Sequence, residues 1–268
     1  ELIPGISSAA YFCSRLKIAW EDVKLMSVHG RSQNLIAAVK RHFRTFTLLG
    51  GKDNVQSLCE RLLEYGLGGA TLYVGERLHY PQERITKGSP EELREQSFDG
   101  LCVALIENPD YCNAVPGCIP DEEFIRGEAP MTKCEVRGLS VEKLGLSADS
   151  AVWDVGAGTG SVTVELALRA YEGQVWAIER KPEAAGLIGQ NCRRFGAANV
   201  QVVEGKAPEA LEALPAPTHV FIGGSSGNLR EVVELCLIKN LAVALVVDGG
   251  APATVGEGDA CYMALPDT

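Results

Sequence analysis

The sequence predicts an α/β protein in two parts, the second of them a doubly wound parallel sheet, and two observations carry that prediction. Beyond residue 116, strand-length apolar runs alternate with amphipathic helical segments. Such alternation builds parallel sheets joined by helical crossovers. Within the same half, residues 152–167 read VWDVGAGTGSVTVELA: a buried strand, a glycine-rich turn and the start of a helix. A sheet of this Rossmann-like kind holds its ligand outside the carboxyl ends of its strands.

The elements follow in order. In the first part, helical signals cover residues 8–16, 33–42 and 54–65, with Gly66 as a C-cap to the last. Strands are expected at 24–28, 45–49, 70–76 and 101–106, which makes a mixed sheet with helices. In the second part a helix is expected from near Thr132 through Leu144. Strands at 151–155, 174–178, 200–203 and 219–222 follow, and helices come after them, the last three at 183–195, 208–214 and 228–237. Residues 241–247 form a further candidate strand, but no glycine turn precedes it. We therefore expect residues to be missing near Asn240, and the second domain, 116–268, to be incomplete after about residue 240. The first domain is placed at 1–115.

Composition excludes several function classes. At 268 residues, with 46% hydrophobic and 22% charged side chains, the chain suits one large or two ordinary globular domains. No apolar run approaches the ~20 residues needed to span a bilayer. No basic-plus-apolar leader opens the chain. A net charge of −10 with no basic tract argues against a nucleic-acid partner. Nine cysteines, an odd number without a C-x-x-C pair, suit a reducing cytoplasm, and Cys112 and Cys118 are expected to be free thiols. The four histidines are scattered, so no metal site is expected.

The glycine turn indicates the ligand. Gly156, Gly158 and Gly160 alternate with Ala157 and Thr159 after Asp154 at the strand end. Glycine permits positive φ and keeps a Cβ out of a ligand's way. Backbone N–H groups can then approach a molecule at the helix N-terminus. A dinucleotide fingerprint would need Gly or Ala at Ser161, and Asp154 would repel a pyrophosphate. A sulfonium with an amino group suits that acid, so the expected cofactor is S-adenosylmethionine, with S-adenosylhomocysteine as its product. Glu179 ends the next strand, where a carboxylate can accept hydrogen bonds from ribose hydroxyls. Its other reading is a solvated strand end paired with Arg180 or Lys181.

At this point the residues resemble a known family. The strings PGCIPDEEFIRGEAPMTKCEVR, AIERKPEA, VEGKAPEAL and FIGGSSGNL, with the glycine turn, are similar to the C15-methylating, decarboxylating precorrin methyltransferases of cobalamin biosynthesis. PGISSAAYFCSRL, SVHGR, GERLHYPQERI and ALIENP resemble their C5-methylating partner, a tetrapyrrole methylase. The resemblance implies a C-terminal Rossmann-like methyltransferase domain preceded by the C-terminal α/β lobe of a tetrapyrrole methylase, whose N-terminal lobe is absent from the sequence as given. It implies methylation of a precorrin or cobalt-precorrin at C15 with loss of the ring C acetate carboxyl, C5 methylation by a complete first domain, and a homo-oligomer, a tetramer in relatives. By position it assigns Thr132 and Ala207 to the cofactor site. With less specificity it assigns Pro4 to Ser8 and the segments near Leu49 and at Glu76 to Leu78 to the first domain's own cofactor site.

A polycarboxylate substrate needs cations. Arg126, Lys133 and Arg137 cluster around the PMTK string, with Lys133 and Arg137 at i, i+4. Each either grips a substrate carboxylate or pairs with Asp121, Glu122 or Glu135. The segment from Gly223, Gly224 and Ser225 to Gly227 is either a lip over the tetrapyrrole or only a turn. His29-Gly30-Arg31 is either an anion site or a plain loop. His219 is read as a strand-start residue. No general acid or base can be named. Two rival functions stand beside this one: methylation of another small molecule or a protein, and a non-catalytic assembly or substrate-handover module.

Overall fold

The structure is a computed structural model that describes residues 5–27, 33–114, 117–224 and 227–248, together with the strand Tyr262–Met263. The chain divides into two compact units, Glu1–Ala114 and Val115–Thr268.

In the first unit, α1 (Ser8–Leu16) precedes β1 (Val23–Ser27), α2 (Leu35–Arg41), β2 (Arg44–Gly50) and α3 (Val55–Glu64). Then come β3 (Thr71–Glu76), β4 (Arg84–Gly88), the short α4 (Pro90–Leu93) and β5 (Leu101–Glu107). Side chains of Ser7, Asn34 and Asn54 cap the three longer helices by accepting from backbone N–H groups in the first turn. The sheet order is β1-β2-β5-β3-β4. Only β1 with β2 is parallel, so the sheet is mixed. Phe12, Phe46, Val103 and Leu105 fill the core on one face. The β4–α4 pair has no counterpart in the sequence reading. Its strand, RITKG, carries Ile85 as its one large apolar residue, because it lies at the sheet edge.

The second unit runs α5 (Cys134–Leu144), β6 (Ala151–Val155), α6 (Ser161–Arg169), β7 (Gln174–Glu179) and α7 (Pro182–Phe195). It continues with β8 (Val200–Glu204), β9 (His219–Ile222), α8 (Leu229–Lys239), β10 (Ala244–Val247) and β11 (Tyr262–Met263). The order is β11-β10-β9-β6-β7-β8, parallel from β8 to β10, with β11 antiparallel. Alternation along the strands supplies two cores. Val152, Val175 and Phe221 face helices α5, α6 and α7 on one side. Trp153, Val155, Trp176 and Ile222 face α8 on the other.

Three local expectations need correction. The helix expected over 208–214 is only a 3-10 turn at Glu209–Leu211, since Pro215 and Pro217 deny the segment the donors to continue. Residues 241–247 form a strand only from Ala244, reached by a tight turn from Asn240 without glycine, in which Val243 N–H donates to the Asn240 carbonyl at 3.2 Å. Cys118 is not free. The segment before α5 folds back over that helix and joins its sulfur to Cys134, with the Cα atoms 5.9 Å apart, whereas Cys112 is free and exposed. No helix among the described residues is long and apolar enough to cross a membrane.

Candidate functional site: a glycine-floored cavity at the carboxyl edge of the C-terminal sheet

Strands β6, β7, β8 and β9 all end at one cavity of the second unit. Asp154, Gly156, Ala157, Gly158, Glu179, Ala207, Gly223 and Gly224 line it, as does Thr132 from the segment before α5. Ser225 lies outside the described residues, as do Pro4 and the His29-Gly30-Arg31 motif.

The turn makes its floor by omission. Gly156 and Gly158 have φ of +77° and +57°, values that L side chains rarely adopt. A Cβ on Gly156 would stand 2.5 Å from the Gly224 carbonyl oxygen, and one on Gly158 would stand 2.8 Å from that of Pro130. The expected N–H groups, by contrast, are largely used internally. Gly156 and Ala157 both donate to the Ile178 carbonyl, at 3.0 and 3.1 Å, and Gly158 donates to Glu179 Oε2 at 3.0 Å. The turn therefore supplies close backbone packing against Gly224 and Pro130 more than free donors.

Two of its residues do not reach the cavity. Thr159 is buried, and its carbonyl accepts from Asn191 Nδ2 at 2.9 Å. Gly160 faces α7, where a Cβ would lie 3.0 Å from Ile188 Cα. Both take packing roles against α7.

The two carboxylates differ in how they are held. Glu179 accepts from Gly158 N–H through Oε2 and from Lys181 N–H at 2.9 Å through Oε1. Asp154 is fully buried. Its Oδ2 accepts from the Thr163 hydroxyl, while Oδ1 has no partner among the described residues. Burial pushes its carboxyl up to about 7, and the charge of Glu179 adds to the rise against the Thr163 hydrogen bonds.

The expected substrate cations are placed elsewhere. Arg126 and Lys133 reach Asp121 Oδ2 at 3.8 and 3.6 Å, are themselves exposed, and do not line the cavity. Arg137 is fully buried. It donates to Glu165 Oε1 at 2.6 Å, to Asp121 Oδ1 at 3.1 Å, to the Thr132 carbonyl at 2.7 Å and to the Ile119 carbonyl. With its guanidinium spent on these partners, Arg137 cannot grip a substrate, which corrects the expectation. Asp121 accordingly stays charged. Burial opposes that, but the Arg137 hydrogen bond and the three positive charges hold its carboxyl below the usual range.

The cations that do line the cavity are Arg180, Lys181 and Lys206. The first two were legible only as neighbours of Glu179, and Lys206 only as part of the GKAPE string. Thr132 Oγ1 lies 3.3 Å from Asp248 Oδ2, an acid at the end of β10 that the sequence reading did not single out. His219 bonds Thr218 Oγ1 at 2.8 Å at the strand start. In the first unit, Leu49 is buried, and Glu76 accepts from Arg84 Nη2 at 2.9 Å and from Asp99 N–H at 2.7 Å.

Topology and floor together define a Rossmann-like methyltransferase domain, in which an acid at the first strand's end and another at the second's flank a glycine turn. Residues 123–251 match the family described as precorrin methyltransferase domain, and residues 1–94 match the tetrapyrrole (corrin/porphyrin) methylases. The chain is 34% identical over 242 residues to the precorrin-6Y C(5,15)-methyltransferase [decarboxylating] of a Sinorhizobium species, covering 88% of this chain and 58% of the relative. It is 44% identical over 140 residues to the probable cobalt-precorrin-6B C(15)-methyltransferase (decarboxylating) of Pyrobaculum calidifontis, covering 50% of this chain and 71% of the relative. A crystal structure of precorrin-6Y C5,15-methyltransferase from Geobacter metallireducens GS-15 shares 40% identity at a TM-score of 0.47, over 50% of this chain and 70% of that one. The chain belongs to the decarboxylating precorrin methyltransferase family.

Proposed function

We propose that the C-terminal unit transfers a methyl group from S-adenosylmethionine to C15 of a precorrin or cobalt-precorrin and directs decarboxylation of the ring C acetate. C5 methylation is assigned to the domain to which the N-terminal unit belongs. The family supports this reading, although the chain spans 58% of the length of its bifunctional Sinorhizobium relative.

The observation that carries it is the pairing, in one cavity, of Asp154, with its Oδ1 partnerless among the described residues, and two glycines whose added Cβ would meet backbone oxygen at 2.5 and 2.8 Å. That combination fits a flat nucleoside carrying positive charge. Gly156, Gly158 and Ala207 would bound the nucleoside, Glu179 would accept from the ribose hydroxyls, and Asp154 would face the positive charge. S-adenosylmethionine supplies an electrophilic methyl on sulfonium, which needs no metal to leave. The chain's own contribution is alignment, which can lower a barrier by ~7–11 kcal/mol. Arg180, Lys181 and Lys206 put positive charge at the rim against the overall −10, where polar groups of a ligand enter. A cytoplasmic homo-oligomer with a tetrapyrrole and no nucleic-acid partner completes the reading.

Titration calorimetry with S-adenosylmethionine tests it. The chain should bind, and Glu179→Gln should weaken binding by about 10–100-fold, the worth of hydrogen bonds to a charged acceptor. Equal affinity in the variant would remove Glu179 from the site. No heat with the native chain would remove the cofactor.

A further inference from the structure

We propose that Asp154 gives up a proton to solvent when a positively charged ligand enters the C-terminal cavity, so that this buried carboxyl reads the charge of the occupant. The inference rests on the cofactor reading above but concerns a different property, the protonation state of the empty and filled site.

The geometry leaves Asp154 no counter-charge of its own. The side chain is fully buried at the end of β6. From α6 it meets the neutral hydroxyl of Thr163 at Oδ2. From α7 the nearby titratable group is Cys192, whose thiol burial pushes up to about 12 and keeps neutral. From β7 it meets Glu179, which two backbone N–H groups hold at 3.0 and 2.9 Å. Glu179 thus has amide donors on both oxygens, whereas Asp154 has a single hydroxyl at Oδ2 and none at Oδ1. Arg180, Lys181 and Lys206 line the same cavity with exposed side chains at its rim, where water screens them. On the β10 side, Asp248 Oδ2 lies 3.3 Å from Thr132 Oγ1. Oδ1, the atom without a partner, belongs to a residue that lines the cavity.

Burial and the Glu179 charge together put the Asp154 carboxyl at about 7, so near neutral pH the empty site holds a mixture of protonated and charged forms. A sulfonium or ammonium brought alongside supplies the missing counter-charge and favours the carboxylate. The O–H bond of Asp154 then breaks heterolytically, both electrons stay on oxygen, and the proton passes to the buffer. Nothing is oxidised or reduced. The linkage has a definite sign: the ligand binds the deprotonated form, so affinity rises with pH through the Asp154 titration and levels off above it. With the carboxyl at about 7, affinity should be about tenfold higher at pH 8 than at pH 6, with about half a proton released per site at pH 7.

The experiment is calorimetry of the whole chain with S-adenosylmethionine at pH 7, in buffers of different ionisation enthalpy. The plot of observed heat against buffer heat should give a release of about half a proton, and Asp154→Asn should reduce it to zero and flatten the pH dependence of Kd. Should Asp154→Asn fold poorly or fail to bind, infrared difference spectroscopy of the native chain supplies the second reading. The carbonyl band of a buried protonated carboxyl should disappear when ligand is added. Binding with no proton release and no loss of that band overturns the proposal and leaves the cofactor assignment standing. Proton release that persists unchanged in Asp154→Asn also overturns it. Absence of any binding heat would instead count against the cofactor assignment itself.

Discussion

Gly158→Val is expected to abolish ligand binding at the C-terminal cavity, lowering affinity for S-adenosylmethionine by more than about 100-fold, because two independent costs fall on one position. The backbone there has φ +57°, a conformation that a β-branched residue reaches only with strain. Its Cβ would also stand 2.8 Å from the Pro130 carbonyl oxygen, and Pro130 is itself part of the cavity wall. Relief requires the turn or the Pro130 segment to move, and both belong to the cavity wall. Gly186→Ala is the matched control. Gly186 lies inside α7, and a methyl group added there would meet nothing within 4 Å, so the change should leave binding intact and stabilise the chain by about 0.5–1 kcal/mol. Calorimetry with circular dichroism separates the two outcomes. Native affinity in Gly158→Val would mean that the ligand sits elsewhere.

Arg137→Met should cost about 3–5 kcal/mol of folding stability, the penalty for removing one member of a buried ion pair and stranding the other. Glu165 would keep only the Ile119 N–H at 3.0 Å, and the Ile119 and Thr132 carbonyls would lose their shared donor. Arg137→Lys should recover only part of the loss. An ammonium cannot reproduce the planar fork that serves four acceptors at once. Urea denaturation measures the difference, and a double variant that also replaces Glu165 with Met should be less destabilised than the sum of the single changes. A near-neutral Arg137→Met would show the ion pair to be dispensable.

These two residues also mark where the sequence was legible and where it was not. The glycine turn and both strand-end acids act locally, through φ, chain direction and strand polarity, so their placement at one sheet edge follows from pattern alone. Arg137 does not work that way. The i, i+4 spacing with Lys133 implies a shared helix face, but Lys133 is the N-cap, with ψ 150°, and lies outside the helix. What decides the fate of Arg137 is the stretch 117–132, whose only regular element is the 3-10 turn at Asp121–Glu123, and whose path over α5 no periodicity records. The same blindness hid the Cys118–Cys134 pairing and Asp248. The packing of Thr159 and Gly160 was hidden for a smaller reason. They lie where the turn passes into α6, against Asn191 and Ile188 of α7, and a motif string does not record that packing.

Ile119 N–H is bonded to the Glu165 carboxylate at 3.0 Å, and Ile125 N–H to Asn191 Oδ1 at 2.8 Å; both acceptors belong to nearly inaccessible side chains of α6 and α7. Amide protons so anchored escape only when those helices part from the segment. In a deuterium-labelling experiment, Ile119 and Ile125 should therefore exchange as slowly as the central strands, and a coil by shape should behave as part of the most durable layer of the domain.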